Sequence, residues 1–233
     1  MRRICTVCAR GGSKGIPGKN RRPIAGKPLI AWTLEMAVGC GFFDRVVVSS
    51  DDEAILTIGR DYGADLVVRR PDDLATDTIS KLPAIIHAVM AAESSFGEHY
   101  DVIVDTDATS PLRIADDIAG ALALFDESGV TSVITGAPAR RSPYFNLVEE
   151  RSDGTVAPSK SAVPPIQRRQ DAPRCFDMNA SIYVWRREPF LSDPQVFYGD
   201  TILFEMPEER SIDIDTPLDF LFVEQLLQER RSQ

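Results

Sequence analysis

Short apolar runs alternate along the first part of the chain with longer segments of helical periodicity. The apolar runs predict strands at residues 4–9, 46–50, 66–68, 102–105 and 132–135. The segments between them predict helices at residues 29–38, 53–62, 82–92 and 115–125. This order of strands and helices implies right-handed crossover connections, so the sequence predicts a doubly wound α/β fold with a mostly parallel sheet.

The alternation stops at about residue 140. From there to residue 174 the chain carries five prolines and a turn signal at Asp153-Gly154. Strands at residues 181–185 and 202–206 and a closing helix at 217–227 then restore the earlier pattern. We therefore predict one α/β domain formed by residues 1–139 and 175–233, with residues 140–174 inserted as a small separate segment.

Length and composition set broad limits on the function. A chain of 233 residues with 43% hydrophobic content can bury a substantial core. It contains no apolar run of the roughly 18 residues that a membrane span needs, and its arginine-rich start lacks a hydrophobic signal core. We expect a cytoplasmic protein without a membrane partner.

Positive charge is concentrated at the start of the chain. Residues 1–27 contain eight Lys or Arg and no Asp or Glu, whereas the whole chain has 26 basic and 35 acidic residues. A positive field confined to one short segment suits a small polyanion better than a long nucleic acid, so we expect no nucleic-acid partner.

A glycine-rich basic loop follows the first predicted strand. Residues 9–20 read A-R-G-G-S-K-G-I-P-G-K-N. Glycines let backbone N–H groups approach phosphates, and Arg10, Lys14 and Lys19 supply cations from what we expect to be an exposed loop. The loop matches neither the P-loop nor the dinucleotide fingerprint, which disfavours kinase-type and NAD-type functions. A flexible surface loop without a ligand is the alternative.

The cysteines and histidines indicate no metal or redox site. Cys5 and Cys8 form a C-x-x-C pattern, but both lie in one predicted strand, where residues three apart point to opposite faces of the sheet. Cys40 and Cys175 are isolated thiols. We interpret His87 and His99 as structural, since neither belongs to a motif of acids, bases or ligands.

Five segments resemble one enzyme family in the same order along the chain. The loop at residues 9–20 is similar to the signature of the acylneuraminate cytidylyltransferases, the CMP-sialic acid synthetases, with Cys8 in place of a proline. Residues 70–75, 109–113, 168–171 with 179–183, and 211–220 resemble further segments of the same family. The resemblance implies a nucleotide-diphospho-sugar transferase-like fold that joins a nine-carbon sugar acid to CTP and releases pyrophosphate. It also implies a homodimer in which residues 140–174 form a dimerisation arm. An ordinary surface hairpin within a monomer is the alternative.

The resemblance assigns the nucleotide site. The predicted CTP-binding residues are Cys8, Ala9, Arg10, Gly11, Gly12, Ser13, Lys14, Lys19, Asn20, Arg70 and Ser80. Among the basic and acidic residues of the site, Arg10, Lys19 and Asp215 are the predicted catalytic groups. Ser80 has an alternative role as the cap of the helix that begins near residue 82.

An Asp-Ile-Asp segment near the C-terminus is the predicted metal site. Charge developing at the α-phosphoryl group calls for a hard divalent cation with oxygen ligands, Mg²⁺ or alternatively Mn²⁺. Asp213 and Asp215 would supply two carboxylates, since alternate residues of a strand face the same side. The family uses these two positions likewise. Capping of the last helix by Asp215 is the alternative.

The predicted sugar-acid residues are Asp107, Arg169, Asp177, Asn179 and Tyr183. Arg169, Asn179 and Tyr183 match family positions, whereas Asp107 and Asp177 place carboxylates where sialic acid enzymes have other groups. Both departures resemble the bacterial CMP-legionaminic acid synthetase-like branch, whose sugar has an additional acylamino N–H for an acidic acceptor. Asp107 as a metal ligand and Arg169 as an ion-pair partner of Asp171 remain open alternatives.

Three other functions compete with a cytidylyltransferase. A sugar-1-phosphate nucleotidyltransferase would share the fold and loop, but it would need a further basic residue at the sugar end. A nucleotide-sugar glycosyltransferase could use Asp105 and Asp107 as its Asp-x-Asp motif, although it has no triphosphate for the loop to hold. The third is a nucleotide-sensing module with an inactive site.

Overall fold

A computed structural model of the chain describes residues 1–13, 15–76, 78–162, 166 and 168–231. The strands are β1 (Arg3–Cys8), β2 (Pro23–Ile24), β3 (Lys27–Pro28), β4 (Arg45–Ser50), β5 (Leu66–Arg69), β6 (Val102–Thr106), β7 (Ser132–Pro138), β8 (Val148–Glu150), β9 (Val156–Pro158), β10 (Phe176–Arg186) and β11 (Ile202–Glu205). The α-helices are α1 (Leu29–Gly39), α2 (Glu53–Asp61), α3 (Leu82–Phe96), α4 (Ala115–Ser128), α5 (Arg187–Ser192) and α6 (Pro217–Arg231).

Seven strands form the central sheet in the order β11-β7-β10-β6-β1-β4-β5. β1 pairs in parallel with β4 and β6, and β10 runs antiparallel to β6 and β7. The predicted doubly wound, mostly parallel sheet is confirmed. The chain order of the strands reverses at β1, and ligands of open α/β sheets bind outside the carboxyl ends of strands at such a point.

Apolar side chains on both faces of β1 hold the sheet between its helices. Cys5 packs in a cluster with Ile30 and Leu34 of α1, whereas Cys8 packs with Ala84 of α3 on the other face. The prediction that the two thiols point to opposite faces is therefore confirmed. Both are buried and free, and burial raises the pKa of Cys8 to about 12.

Several helices run further than the apolar periodicity predicted. α3 extends to Phe96 and α4 to Ser128, and each ends at a glycine in the left-handed region, Gly97 at φ 65° and Gly129 at φ 71°. Glycine adopts this conformation without a Cβ penalty, so these positions end the helices. In α4 the last buried apolar residue is Phe125, before the end of the helix, whereas in α3 the last residue, Phe96, still packs against the core.

The segment 140–174 contains a short hairpin instead of a sheet strand. β8 and β9 pair in antiparallel fashion around a turn in which Gly154 has φ 81°. Leu147, Val148 and Val156 of this hairpin are exposed. Beyond the hairpin, β10 begins at Phe176, before the predicted start at residue 181. It pairs with β7 on both sides of a bulge between Met178 and Tyr183, and the part before the bulge was not predicted.

No helix in the described part of the chain is both long and apolar enough to cross a bilayer.

Candidate active site

A cavity of about 440 Å³ opens at the carboxyl ends of β1, β5 and β6. Asp107, predicted to bind the sugar acid, lines it together with most of the predicted nucleotide and metal residues: Cys8, Arg10, Gly12, Ser13, Lys19, Asn20, Arg70, Ser80, Asp213 and Asp215. We call this space the nucleotide cavity. It places the basic loop opposite the late Asp-Ile-Asp segment, although the two are about 200 residues apart in sequence.

Two of the predicted CTP-binding residues contact neighbouring backbone and side chains instead of lining the cavity. Ala9 is buried, and its N–H donates to the carbonyl of Ser49 at 3.0 Å. The N–H of Gly11 donates to Asp51 Oδ1 at 2.9 Å, and a Cβ at Gly11 would lie 2.7 Å from the Cβ of Asp52. Gly11 is therefore required for close packing of the loop. Lys14, a third predicted CTP ligand, lies outside the described residues.

The loop is tied to the Asp-Ile-Asp segment by two close approaches. A Cβ at Gly15 would lie 2.4 Å from the carbonyl oxygen of Asp215. Lys19 Nζ donates to the carbonyl of Ile214 and lies 3.3 Å from Asp215 Oδ1. Lys19 is only 9% exposed, so the prediction that it lies on an exposed loop is wrong. The segment that packs on the loop buries the Lys19 ammonium, and the Ile214 carbonyl of that segment accepts a hydrogen bond from it, as a buried polar group requires.

Arg70 and Asn20, two further predicted CTP-binding residues, already make hydrogen bonds within the protein. Arg70 is buried and donates to the Ser49 hydroxyl at 3.2 Å and to the Ser49 carbonyl at 2.9 Å. Asn20 Nδ2 donates to the carbonyl of Arg10 at 3.0 Å, and Asn20 Oδ1 is buried without a hydrogen-bond partner among the described residues. Ser80 is exposed to the cavity. The alternative that Ser80 caps α3 is wrong, because Lys81 occupies the N-cap position.

A lysine whose side chain is 27% exposed lies between the two aspartates at the end of β6. Lys81 Nζ is 2.6 Å from Asp105 Oδ2 and 2.8 Å from Asp107 Oδ2. Asp107 Oδ1 also accepts from the N–H and hydroxyl of Thr109 at 3.1 and 3.0 Å. Burial alone would raise the pKa of Asp107, but Lys81 and Thr109 outweigh burial and lower it to about 2. Asp107 is therefore a permanently ionised and well-bonded carboxylate.

The late Asp-Ile-Asp segment has different surroundings. Residues 211–215 form no strand, so the predicted strand geometry for this pair is wrong. Asp213 is largely buried, and its Oδ1 has no hydrogen-bond partner among the described residues. Burial, and then the charge of Asp107, raise the pKa of Asp213 to about 6. The side chain of Asp215 is 75% exposed.

A separate pair of residues caps α6, so the capping alternative for Asp215 is also wrong. Asp219 Oδ2 accepts from the Thr216 N–H at 2.7 Å, and Thr216 Oγ1 accepts from the Asp219 N–H at 3.2 Å. This reciprocal arrangement satisfies the start of the helix. Asp215 is consequently left with its ion pair to Lys19 and with access to the cavity.

The two late carboxylates fit a hard divalent cation. They supply oxygen ligands, and the unpartnered Oδ1 of Asp213 is a buried acceptor that a cation would satisfy. Among the described residues, no group of three or more His, Cys, Asp or Glu side chains could hold a metal ion. The remaining ligands of an ion at this pair would therefore have to come from substrate oxygens or water.

The predicted sugar residues do not share one cavity. Asp177 and Asn179 line a second cavity of about 480 Å³, which borders the nucleotide cavity at Asp213 and includes Met178 and Phe222. We call it the second cavity. Asp177 is exposed, and its Oδ2 accepts from the Arg140 N–H at 3.1 Å.

Asn179 and Tyr183 have structural contacts that the sequence does not reveal. Asn179 Oδ1 accepts from Thr135 and from the Ser181 N–H, and its Nδ2 donates to Ser211, so its side chain stabilises the bulge of β10. Tyr183 stacks on Trp185 at 5.2 Å between ring centroids and lines neither cavity. The backbone of Arg169 lies in a short helical turn, and its side chain is outside the described part of the chain.

Sequence reasoning missed several residues of the nucleotide cavity: Gly15, Leu74, Thr76, Ile79, Lys81 and Thr109. The most important is Lys81, because no local motif connects it with Asp105 and Asp107. Thr109 had a weak signal, since it belongs to a segment that carried the family resemblance and lies two residues after Asp107.

Comparison with known proteins places these features in context. A family model described as cytidylyltransferase matches residues 4–229. The chain is 41% identical to post-translational flagellin modification protein B of Campylobacter coli, over 99% of this chain and 97% of that protein. It is also 41% identical to the CMP-N,N'-diacetyllegionaminic acid synthase of Campylobacter jejuni, over 96% and 94% of the two chains.

A solved structure shows the same fold. The structure of CMP:2-keto-3-deoxy-manno-octonic acid synthetase complexed with CTP superposes with a TM-score of 0.67 and covers 99% of this chain and 100% of that one. Its sequence identity is 17%, so this likeness supports the architecture alone.

Proposed function

The chain belongs to the cytidylyltransferase family, and we propose that it joins a nonulosonic acid to CTP, forming the CMP-sugar and releasing pyrophosphate. The observation that carries this proposal is the nucleotide cavity, where a basic, glycine-rich loop faces two carboxylates. A triphosphate needs cations at its β- and γ-phosphates, and the reaction needs its developing negative charge neutralised at the α-phosphoryl group.

The basic loop would hold the triphosphate. Arg10, Ser13 and Lys19 line the cavity, and we extend the assignment to Lys14 from its place in the loop sequence. Asn20 connects the loop to the carbonyl of Arg10 and so helps to hold the loop in shape. At the other end of the cavity, Arg70, Ser80 and the backbone at Cys8 would bind the cytidine.

Asp213 and Asp215 would hold Mg²⁺, or alternatively Mn²⁺. When bound, such an ion supplies positive charge to phosphate oxygens during nucleotidyl transfer. Lys19 contributes a second positive charge beside Asp215. The contact of Lys19 with the Ile214 carbonyl positions the Asp-Ile-Asp segment against the loop, so that the two halves of the site keep their relative placement.

We propose a sugar acid of the legionaminic type, which carries two acylamino groups. The C. jejuni relative is a CMP-N,N'-diacetyllegionaminic acid synthase, and Asp107 offers a carboxylate acceptor inside the nucleotide cavity. The neighbouring second cavity combines the acidic Asp177 with the apolar Met178 and Phe222, a combination that suits the N–H and methyl of an acylamino group.

We further propose that the active species is a homodimer in which residues 140–174 complete the partner's site through Arg169. The exposed apolar residues Leu147, Val148 and Val156 of the hairpin support an intermolecular role. Mixing an inactive Arg169→Ala chain with an inactive Asp215→Asn chain tests this. Partial recovery of activity supports action in trans, whereas no recovery after verified subunit exchange contradicts it.

One observation weakens the glycosyltransferase alternative. Its Asp-x-Asp motif would be formed by Asp105 and Asp107, but Asp105 is fully buried and bonded to Thr6 and Lys81. A sugar-1-phosphate nucleotidyltransferase differs from the proposed enzyme in that it uses a sugar 1-phosphate in place of a nonulosonic acid.

The deciding experiment measures pyrophosphate release from each of the four ribonucleoside triphosphates with a panel of nonulosonic acids and sugar 1-phosphates. The proposal expects release with CTP and a nonulosonic acid. Release with a sugar 1-phosphate instead would select the alternative nucleotidyltransferase. CTP binding without release under any combination would indicate a nucleotide-sensing module.

A further inference from the structure

We propose that the Lys81 ammonium is a resident cation, which occupies the place beside Asp105 and Asp107 that a second divalent ion would otherwise take. Its Nζ lies 2.6 Å from one carboxylate oxygen and 2.8 Å from the other. Two carboxylates converging on one point would bind a hard cation, and here that point is filled by the protein itself. The inference deepens the proposed function, because it concerns the cations of the same site.

The other carboxylate oxygens of this pair are already bonded. Asp105 Oδ1 accepts from the hydroxyl of Thr6 at 2.7 Å, and Asp107 Oδ1 accepts two hydrogen bonds from Thr109. The remaining oxygens, Asp105 Oδ2 and Asp107 Oδ2, are the ones that Lys81 approaches. A divalent ion bound to Asp107 would compete with the ammonium for Oδ2.

Electrostatics favour retention of the lysine as a cation. Asp105 is 0% exposed and the Lys81 side chain is 27% exposed. Burial alone would lower the pKa of Lys81, but the charges of Asp105 and Asp107 outweigh burial and raise it above its ordinary value. Burial raises the pKa of Asp105, and the Lys81 ammonium at 2.6 Å opposes that shift.

The contrast with Asp213 supports this division. Asp105 Oδ2 and Asp213 Oδ1 are both buried without a hydrogen-bond partner among the described residues, but Asp105 Oδ2 lies 2.6 Å from the Lys81 ammonium. Lys19, the basic residue that contacts the late segment, pairs with Asp215 instead of Asp213. The protein thus places its own cation at one carboxylate pair and leaves an acceptor available at the other. A divalent ion is confined to Asp213 and Asp215, and Asp107 remains a carboxylate for a substrate donor.

The test counts Mn²⁺ ions bound to the full chain in the presence of CTP and the absence of a sugar acid, from the electron paramagnetic resonance signal of free Mn²⁺. The Lys81→Met variant should bind one more Mn²⁺ ion per chain than the wild type. Lys81→Arg should bind the wild-type number, because it retains a cation. The double variant Lys81→Met/Asp107→Asn should return to the wild-type number, since one of the two ligands is lost.

An unchanged Mn²⁺ number in folded Lys81→Met overturns the inference. If Lys81→Met does not fold, the test is Mn²⁺ binding by the Asp107→Asn variant, which retains Lys81. Its Mn²⁺ dissociation constant should stay within about twofold of the wild-type value, whereas weakening of about tenfold or more would make Asp107 a metal ligand and overturn the inference. Failure of the proposed function is separate: the wild type would then release no pyrophosphate with any nonulosonic acid, whatever its Mn²⁺ number.

Discussion

Two Asp-x-Asp segments, residues 105–107 and 213–215, meet at the nucleotide cavity, and their surroundings are opposite. In the first, Lys81, Thr6 and Thr109 supply donors to the carboxylates, and the pKa of Asp107 falls to about 2. In the second, Asp213 has a buried oxygen without a hydrogen-bond partner among the described residues, and its pKa rises to about 6. The same sequence pattern therefore produces one carboxylate pair that a lysine ammonium bridges and a second pair with a buried acceptor that has no hydrogen-bond partner among the described residues.

The difference comes from what the fold places beside each segment. Residues 105–107 end a central strand, where the start of α3 brings Lys81 alongside. Residues 213–215 lie in an irregular segment that the loop contacts through Gly15 and Lys19. Lys19 donates to a backbone carbonyl in that segment and pairs with the exposed Asp215, so Asp213 keeps an unpaired oxygen.

Removing the lysine should produce the largest effect. Lys81→Met leaves the buried carboxylate of Asp105 and the partly buried carboxylate of Asp107 without their counter-charge. Breaking a buried pair costs about 3–5 kcal/mol of unfolding free energy, and the partial exposure of Lys81 and Asp107 places this loss at the lower end, about 3 kcal/mol. Urea unfolding without metal ions measures this loss, with the exposed Lys160→Met in segment 140–174 as the control. A Lys81→Met chain as stable as the control would contradict the view that Lys81 neutralises the first pair.

Removing a carboxylate of the second pair should lower turnover and leave the protein folded. Asp213→Asn or Asp215→Asn should lower kcat by at least about 10², the scale for losing one preorganised charge contact in the transition state. The measurement is pyrophosphate release at saturating CTP, with Asp61→Asn at the exposed end of α2 as the control. Nearly full turnover of a folded variant at saturating Mg²⁺ would remove that residue from the metal site.

The two segments should give opposite pH dependences of stability in the absence of metal. The folded-state pKa of Asp107 is about 2, below the unfolded value, so its contribution is present above about pH 4 and is lost as the pH falls toward 2. The folded-state pKa of Asp213 is about 6, above the unfolded value. Its ionisation therefore costs stability, and the cost grows as the pH rises from about 4 to about 6.

At pH 7 these shifts predict changes of opposite sign, each of about 2–3 kcal/mol. Asp213→Asn should stabilise the metal-free protein, and Asp107→Asn should destabilise it. Unfolding free energies from urea titrations at pH 4 and pH 7 test the pair. If both variants changed the unfolding free energy in the same direction at pH 7, the two carboxylates would not differ in the way that their contacts indicate.

Sugar discrimination should show the smallest effect. If Asp107 reads an acylamino N–H, a legionaminic-type acid should exceed N-acetylneuraminate in kcat/KM by roughly tenfold or more, which corresponds to about 1.4 kcal/mol. Asp107→Gln should narrow that ratio. Asp177→Asn is the matched variant, because Asp177 lies in the second cavity. A ratio that narrows only in Asp177→Asn would move sugar recognition to that cavity.

Much of this architecture could be predicted from the sequence. The alternation of apolar runs and helical segments predicted the sheet, because strands buried on both faces are continuously apolar and their covering helices are amphipathic. The position of the loop after β1 and of Asp107 after β6 then followed from the carboxyl ends of parallel strands.

Other parts depend on contacts between distant segments and could not be predicted. Lys81 lies 26 residues before Asp107, and no motif connects the two. Lys19 was predicted to be an exposed loop cation. Its ammonium instead donates to the carbonyl of Ile214, 195 residues later, and its side chain is buried. Asn179 matched a sugar-facing position, whereas its side chain stabilises a bulge that the apolar pattern did not show.

The measurement that tests the division between the two segments most directly is the Mg²⁺ dependence of pyrophosphate release by Asp213→Asn and Asp107→Asn, side by side at saturating CTP. We predict that Asp213→Asn raises the half-saturating Mg²⁺ concentration by about tenfold or more, because a metal ligand is lost. Asp107→Asn should leave this concentration within about twofold of the wild-type value. The reverse result, with a strong Mg²⁺ effect in Asp107→Asn and none in Asp213→Asn, would contradict the account.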